Sequence, residues 1–317
     1  MKKARIGVIG TGAWGKNHAR VYYELDNAEL VAIADINESR AKLIASKYNA
    51  KPYTDFVEML EKEDLDGVVI ATPTTTHHKI GLEAMKYCKY VFIEKPLADT
   101  IEQGEELVKV AKKNNVKLTV GFITRFTQGI DTIKNLFYTE KFGKPVLLLA
   151  RRVGPFWPER VGDVGVIKDT AIHDIDIFRF LLEENPREVY ATTGKLKHKY
   201  EDHATIILKF KDATGLIEAN WLTPHKLREL SVTGEYGVFT LDYMTQDLTL
   251  EGDLWFMKAK TKWREPLKDE LSHFVDAILN EKEPLVSGYD GLVALKIAEY
   301  ALESARKGEP IKLTGKL

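Results

Sequence analysis

Apolar residues recur along the chain in two different rhythms. Through the first 120 residues, short uninterrupted apolar runs alternate with stretches of helical spacing. ARIGVIG (4–10), ELVAIAD (29–35), DGVVIAT (66–72), YVFIE (90–94) and KLTVGF (117–122) read as five buried strands. Helical patterns lie between them, over 15–25, 38–48, 76–88 and 101–114, with a shorter one near 54–62. Apolar strands alternating with helices predict a parallel sheet covered on both faces.

After Gly121 the rhythm changes. A helix is expected near 128–139, then strand PVLLLARRV (145–153), a long loop, and a helix over 169–183. From 187 to 260 the pattern becomes successive strands. EDHATIILKF and TGLIEANWL flank residues 211–213, and KLRELSVTG and VFTLDY flank residues 235–237, which are hairpin signals. Helices over 267–280 and 289–307 close the chain. The expectation is an α/β protein of two domains. Residues 1–121 form a domain with a doubly wound parallel sheet. Residues 122–317 form an α+β domain with an open, largely antiparallel sheet, and the last helix is free to pack back on the first domain.

Composition narrows the classes. A chain of 317 residues with 44% apolar and 29% charged residues suits two ordinary globular cores. A net charge of −1 gives no basic excess for nucleic acid or an anionic membrane. No apolar stretch approaches the roughly 20 residues of a transmembrane helix. The apolar run in MKKARIGVIGTG is too short for a signal peptide. Cys88 is the single cysteine, so no intrachain disulfide forms and a reducing cytoplasm fits. Abundant Lys and Glu beside three glutamines lean toward a thermophile.

GTGAWG, residues Gly10, Thr11, Gly12, Ala13, Trp14 and Gly15, is a G-x-G-x-x-G between the first strand and the first helix. The first glycine allows a tight turn, the second lets a pyrophosphate approach the backbone, and the third lets helix pack on strand. The helix N-terminus then offers N–H groups to the phosphates. Asp35 ends the second strand, placed to bond the ribose hydroxyls and repel a 2′-phosphate. NAD is therefore expected over NADP, with Arg40 as the residue that could accept a phosphate.

EKPLA (94–98) places Lys95 at the carboxyl end of a parallel strand, where such sheets bind ligands, and Pro96 fixes the backbone that aims it. With GTGAWG, Asp35, ATPTTTHH (71–78) and GFITRF (121–126) in this order, the chain resembles the family named for glucose–fructose oxidoreductase, inositol dehydrogenase and MocA. The resemblance covers essentially the whole chain. It implies a Rossmann domain followed by an α/β domain whose open sheet often forms the oligomer interface, here in a homodimer or homotetramer. It also implies that Thr72, Pro73, Thr74 and His77 line the cofactor together with Glu94, Lys95 and Pro96. Cys88 stands where the family carries glycine, a local backbone change rather than a catalytic thiol. Ile123 stands where asparagine is common.

IKDTAIHDIDIF (167–178) carries Asp169, His173 and Asp176 within about 60° on a helix, with Ala171, Ile175, Phe178 and Leu182 opposite. Asp174 falls off that stripe, which reads as a surface or supporting acid. Taken alone, the acids suit a helix dipole, or the trio a divalent metal. Beside a dinucleotide domain, His173 is the natural general base for oxidising a secondary alcohol. The family resemblance implies Lys95, Asp169 and His173 as the catalytic set, with Asp176 supporting and no metal required.

The loop over 151–166 carries Arg151, Arg152, Phe156, Trp157 and Arg160, and reads as a substrate lid. Arg125 of GFITRF joins these substrate candidates. Arginines suit phosphate and an aromatic suits a base or sugar face. The segment is similar to members that oxidise the 3-hydroxyl of UDP-N-acetylglucosamine. A sugar nucleotide is thus the expected substrate, with inositol or a free sugar as the alternative and a non-catalytic dinucleotide sensor as a different class.

Overall fold

The computed structural model describes residues 2–156, 163–260 and 262–317. Two compact units emerge, one of residues 1–123 with Leu267–Leu295, the other of Thr124–Pro266 with Lys296–Leu317. The sequence-based division at 121/122 leaves both closing helices with the second domain, whereas helix α8 (Pro266–Leu279) packs with the first unit. Its apolar stripe, Leu267, Leu271, Phe274, Val275 and Ile278, is part of the same core as Ile6, Val8, Tyr22, Ile33 and Phe92.

The first unit is built on a six-stranded sheet with order β3-β2-β1-β4-β5-β6, every neighbouring pair parallel. Strands β1 (Ala4–Ile9), β2 (Ala28–Ala34), β4 (Gly67–Ile70), β5 (Tyr90–Ile93) and β6 (Lys117–Val120) match the five apolar runs. The sixth, β3 (Lys51–Tyr53), is a three-residue edge strand with a proline. No apolar run marks it, because an edge strand is only half covered. Helices α1 (Gly15–Glu24), α2 (Glu38–Lys47), α3 (Phe56–Lys62), α4 (Thr74–Ala84) and α5 (Ile101–Lys113) connect the strands. Three of them start on a side-chain cap, with Asn37, Asp55 and Thr100 accepting from the first-turn backbone.

The second unit carries nine strands in the order β14-β13-β12-β11-β7-β10-β9-β8-β15. These are β7 (Pro145–Val153), β8 (Glu188–Gly194), β9 (His203–Lys209), β10 (Thr214–Asn220), β11 (Leu227–Gly234), β12 (Val238–Asp242), β13 (Leu248–Gly252), β14 (Trp255–Lys258) and β15 (Ile311–Lys312). Only the β7–β10 pair is parallel. A 3-10 turn, Ile123–Phe126, and helix α6 (Ile130–Leu136) precede β7. The helix expected over 169–183 divides in two, a π-helical turn, Ile167–Ala171, and helix α7 (Ile172–Leu182). α7 lies against β7 and β10. Gly215 of β10 permits the approach, since a Cβ there would lie 2.4 Å from the ring of Phe178. Helix α9 (Gly288–Lys307) begins with the first unit and ends with the second. Among the described residues no helix is long and apolar enough to cross a membrane.

Candidate active site

In the first unit the glycine loop is built as its spacing predicts. Gly10 has φ +88°, a left-handed conformation open to glycine, and a Cβ on Gly15 would lie 1.8 Å from the carbonyl oxygen of Gly10. A Cβ on Gly12 would meet nothing within 4 Å, so the loop's outer side has room for a pyrophosphate. Trp14 caps α1 without a side-chain hydrogen bond, and no acid lies in the first turn to compete with an anion. Ala13 and Trp14 are exposed above it.

Asp35 anchors this loop. Its Oδ2 accepts from the Thr11 N–H (2.8 Å) and hydroxyl (2.6 Å), and its Oδ1 from the Asn37 N–H and from Arg40, both at 2.8 Å. Burial alone would raise this carboxyl, but the hydrogen bonds of Arg40, Thr11 and Asn37 together hold it below the ordinary aspartate value. Arg40 thus lies against Asp35 with half its side chain in solvent.

Two further sequence-predicted segments meet through His77. Its Nδ1 lies 2.9 Å from the Pro96 carbonyl oxygen, and its Nε2 2.9 Å from that of Thr72. TPTTTH is thereby stapled to EKP. Thr72 also accepts from the Thr76 hydroxyl at 2.8 Å, Pro73 is exposed and Thr74 is buried. Lys95 is half-buried, and its N–H donates to Glu94 Oε2 at 3.2 Å. Glu94 Oε1 in turn meets His18 Nε2 at 2.7 Å. His18 was silent in the sequence, where it sits as one polar residue inside α1. Cys88 is buried, and burial pushes its thiol up to about 12, the behaviour of a packing residue rather than a nucleophile.

In the second unit the π-helical turn carries Asp169 and hands over to α7 at Ile172, one residue before His173. π-helical turns occur frequently at functional sites, and this one alters the 100° spacing on which the stripe expectation rested. Asp169 is half-buried and its Oδ2 accepts from the Thr170 hydroxyl at 3.1 Å. Thr170 accepts in turn from the Trp221 indole N–H at 3.0 Å. Trp221 lies beside an aromatic group, with the His198 ring 5.3 Å away edge-on and Tyr200 and Phe156 on the other sides of His198. Neither Thr170 nor Trp221 was expected. A threonine next to Asp169 was the available signal for the first, and nothing local marks a tryptophan 51 residues downstream.

The environment of α7 differs from the open polar stripe expected of it. Every residue from Ile172 to Arg179 is buried, so the helix has no open polar face. Asp174, read as a surface or supporting acid, is 1% exposed, and Arg152 grips it through Nε (2.8 Å) and Nη2 (2.7 Å). Asp176 is fully buried, and Arg125 grips it the same way at 2.7 and 2.5 Å. Arg125 and Arg152, expected at a substrate, each thus bond a buried carboxylate through Nε and Nη2. Arg151 points the other way, because successive strand residues face opposite sides of a sheet, and it pairs with Glu218 on the exposed face. Trp157 and Arg160 lie outside the described residues.

The comparisons with known proteins agree along the chain. Residues 4–122 match an oxidoreductase family described as having an NAD-binding Rossmann fold, and residues 156–313 match that family's C-terminal alpha/beta domain. The myo-inositol 2-dehydrogenase of Thermotoga maritima is 30% identical over 98% of both chains. The UDP-N-acetylglucosamine 3-dehydrogenase GnnA of Acidithiobacillus ferrooxidans superposes with a TM-score of 0.89 at 25% identity, over 97% of this chain and 99% of that one. The WlbA dehydrogenase of Bordetella pertussis, solved with NADH and UDP-GlcNAcA, gives 0.84 at 26% identity over 98% and 99%.

Proposed function

Because this chain belongs to the family of glucose–fructose oxidoreductase, inositol dehydrogenase and MocA, and is thus an NAD-dependent dehydrogenase of CH–OH groups, we propose that His173 is its general base. The substrate in this reading is a free polyhydroxylated six-membered ring, a cyclitol or pyranose, oxidised at one secondary hydroxyl.

The observation that supports a free ring is the charge accounting around α7. Arg125 and Arg152, the arginines that favoured a diphosphate, are closed in buried pairs, and Arg151 pairs with Glu218 on the exposed sheet face. Identity points the same way, since the inositol dehydrogenase of Thermotoga maritima stands at 30%. A second reading, the 3-hydroxyl of UDP-N-acetylglucosamine, is favoured by the aromatic group of Phe156, His198, Tyr200 and Trp221. Such a wall suits a sugar face or a base.

Bound NAD supplies the hydride acceptor. His173 takes the hydroxyl proton as the carbon–hydrogen bond breaks, so that the departing hydride leaves a neutral carbonyl. Lys95 holds the reacting oxygen and stabilises the negative charge that develops on it. Asp169, steadied by the Thr170–Trp221 hydrogen bonds, supports the charged form of the imidazole.

The test is reduction of NAD followed by absorbance with myo-inositol, scyllo-inositol, glucose and UDP-N-acetylglucosamine, each with and without 2-oxoglutarate. Turnover of a free ring is expected. Turnover of the UDP-sugar alone would put the second reading in its place, and turnover of none would remove both.

A further inference from the structure

Two buried acids, Asp174 and Asp176, stand on either side of His173 on α7, and each is gripped by both nitrogens of an arginine fork. We infer that the pairs Arg152–Asp174 and Arg125–Asp176 are the positioning device of His173, a clamp that sets the rotation and axial height of α7. The inference rests on the reading of His173 as the base.

The geometry of the helix gives the clamp two jaws. Residues 174 and 176 are about 160° apart around the helix on the side that carries His173, which lies between them about 100° from the one and 60° from the other. The arginines come from different elements: Arg152 from β7, Arg125 from the 3-10 turn Ile123–Phe126. A planar guanidinium that bonds both carboxylate oxygens fixes orientation as well as distance, which a lysine or a single hydrogen bond does not. Each fork is itself braced by an aromatic ring. Tyr243 lies 5.1 Å from the Arg152 guanidinium carbon, and Phe180 lies 4.8 Å from that of Arg125. Arg179 adds a looser contact to Asp176 at 3.9 Å while its Nε donates to Asn185.

Stability does not explain this arrangement. Burying two ion pairs costs desolvation that their attraction only partly offsets, and apolar residues of similar volume commonly hold a fold as well. Apolar contacts are non-directional, whereas a bidentate fork adds a sharply preferred rotation. A histidine that must meet a hydroxyl proton within hydrogen-bond reach needs one. Among the charges that favour the charged form of Arg152, after Asp174 and Tyr243, is Asp169, one turn before His173.

The test replaces one jaw with apolar side chains. Arg152→Met/Asp174→Leu removes both charges at once and leaves no unpaired ion. The wild type and variant are compared for Tm, for kcat and KM with the alcohol turned over best, for NAD affinity, and for the ring nitrogen NMR signals of His173, assigned with His173→Gln. The clamp predicts a retained Tm, a kcat lower by roughly 10- to 100-fold, KM values within about threefold, and displaced His173 signals. Arg152→Lys, which keeps the charge but loses the fork, is expected to fall between. It carries the same readouts if the double variant does not fold. Unchanged kcat and unchanged ring signals in a folded variant would overturn the inference. A raised KM at constant kcat would also overturn it, making Arg152 a substrate ligand. Should no alcohol be turned over at all, the ring signals still decide the clamp apart from the dehydrogenase reading.

Discussion

His18, on the helix that opens at the glycine loop, and Glu94, the residue before Lys95, meet at 2.7 Å in the interior of the first unit. The cofactor loop and the lysine segment are joined there by buried side chains, beneath the surface either would present. Near this contact lies Glu270 of α8, 3% exposed, and neither of its carboxyl oxygens has a hydrogen-bond partner among the described residues. Burial, and secondarily the charge of Glu94, raises the Glu270 pKa well above the ordinary glutamate value. Burial and the same two carboxyls raise Tyr22 beside it. Glu94 is the carboxyl engaged by His18, and Glu270 is the one whose pKa burial raises.

That assignment fixes a pH dependence. A carboxyl whose folded pKa exceeds its unfolded value stabilises most below the unfolded value, about 4.3, and loses that contribution as pH rises toward the folded one. Glu270→Gln removes the titration and keeps the shape. The Tm advantage of the variant over the wild type is expected to grow between pH 5 and 8, as thermal melts across that range would show (the range brackets ordinary buffers, with a slope up to about 1.4 kcal/mol per unit). A constant difference would mean Glu270 is ionised in the folded protein.

Removing the imidazole separates chemistry from binding. His173→Ala is expected to lower kcat/KM by roughly 10²- to 10⁴-fold while NAD affinity, read by quenching of protein fluorescence, stays as it was. The glycine loop and Asp35, which are expected to anchor the cofactor, lie on elements of the first unit and not on α7. Retained turnover in this variant would take the role of base away from His173.

Cofactor choice rests on Asp35 and Arg40 together. With Asp35 ionised, a 2′-phosphate meets a negative charge, and Arg40 is held on that charge at 2.8 Å. Asp35→Ser removes the repulsion and releases Arg40, while also breaking the bonds to Thr11. The NAD to NADP ratio of kcat/KM should fall by about tenfold or more, with most of the change a loss for NAD. An unmoved ratio would leave Asp35 with the loop alone.

The sheet of the first unit was legible because both its faces are covered, so its strands read as plain apolar runs such as YVFIE. Gly10 and Gly15 were legible because their positions tolerate no side chain, which a sequence states directly. The arginines were not. Arg151 and Arg152 are neighbours where the expected strand PVLLLARRV runs into the expected loop, and the pleat of β7 sends them to opposite faces. Their partners, Glu218 and Asp174, are 67 and 22 residues away. Charge in a sequence shows only that a partner or water is needed, and pairing across elements decides which. The same limit hid His18 and Trp221, whose roles arise only when a distant strand or turn arrives beside them.

The outward face of the nine-stranded sheet carries a row that registers across four strands, Ile207 on β9, Leu216 on β10, Leu149 on β7 and Ser231 on β11. Leu147 and Leu149 are 43% and 41% exposed, and Ile207 37%. Alternate positions on one face of a central strand are usually polar when water covers them, so these exposed leucines are expected to be covered by another surface. A second copy of this chain fits, since a sheet face that meets itself about a twofold axis needs no other partner. The protein is expected to be a dimer or tetramer by light scattering, and Leu149→Lys to shift it toward the smaller species. The Arg151–Glu218 pair on the same face becomes buried in such an assembly, so Glu218→Lys, which sets like charges against Arg151, should act in the same direction. A monomer of unchanged mass in wild type and variants would leave these leucines without a partner.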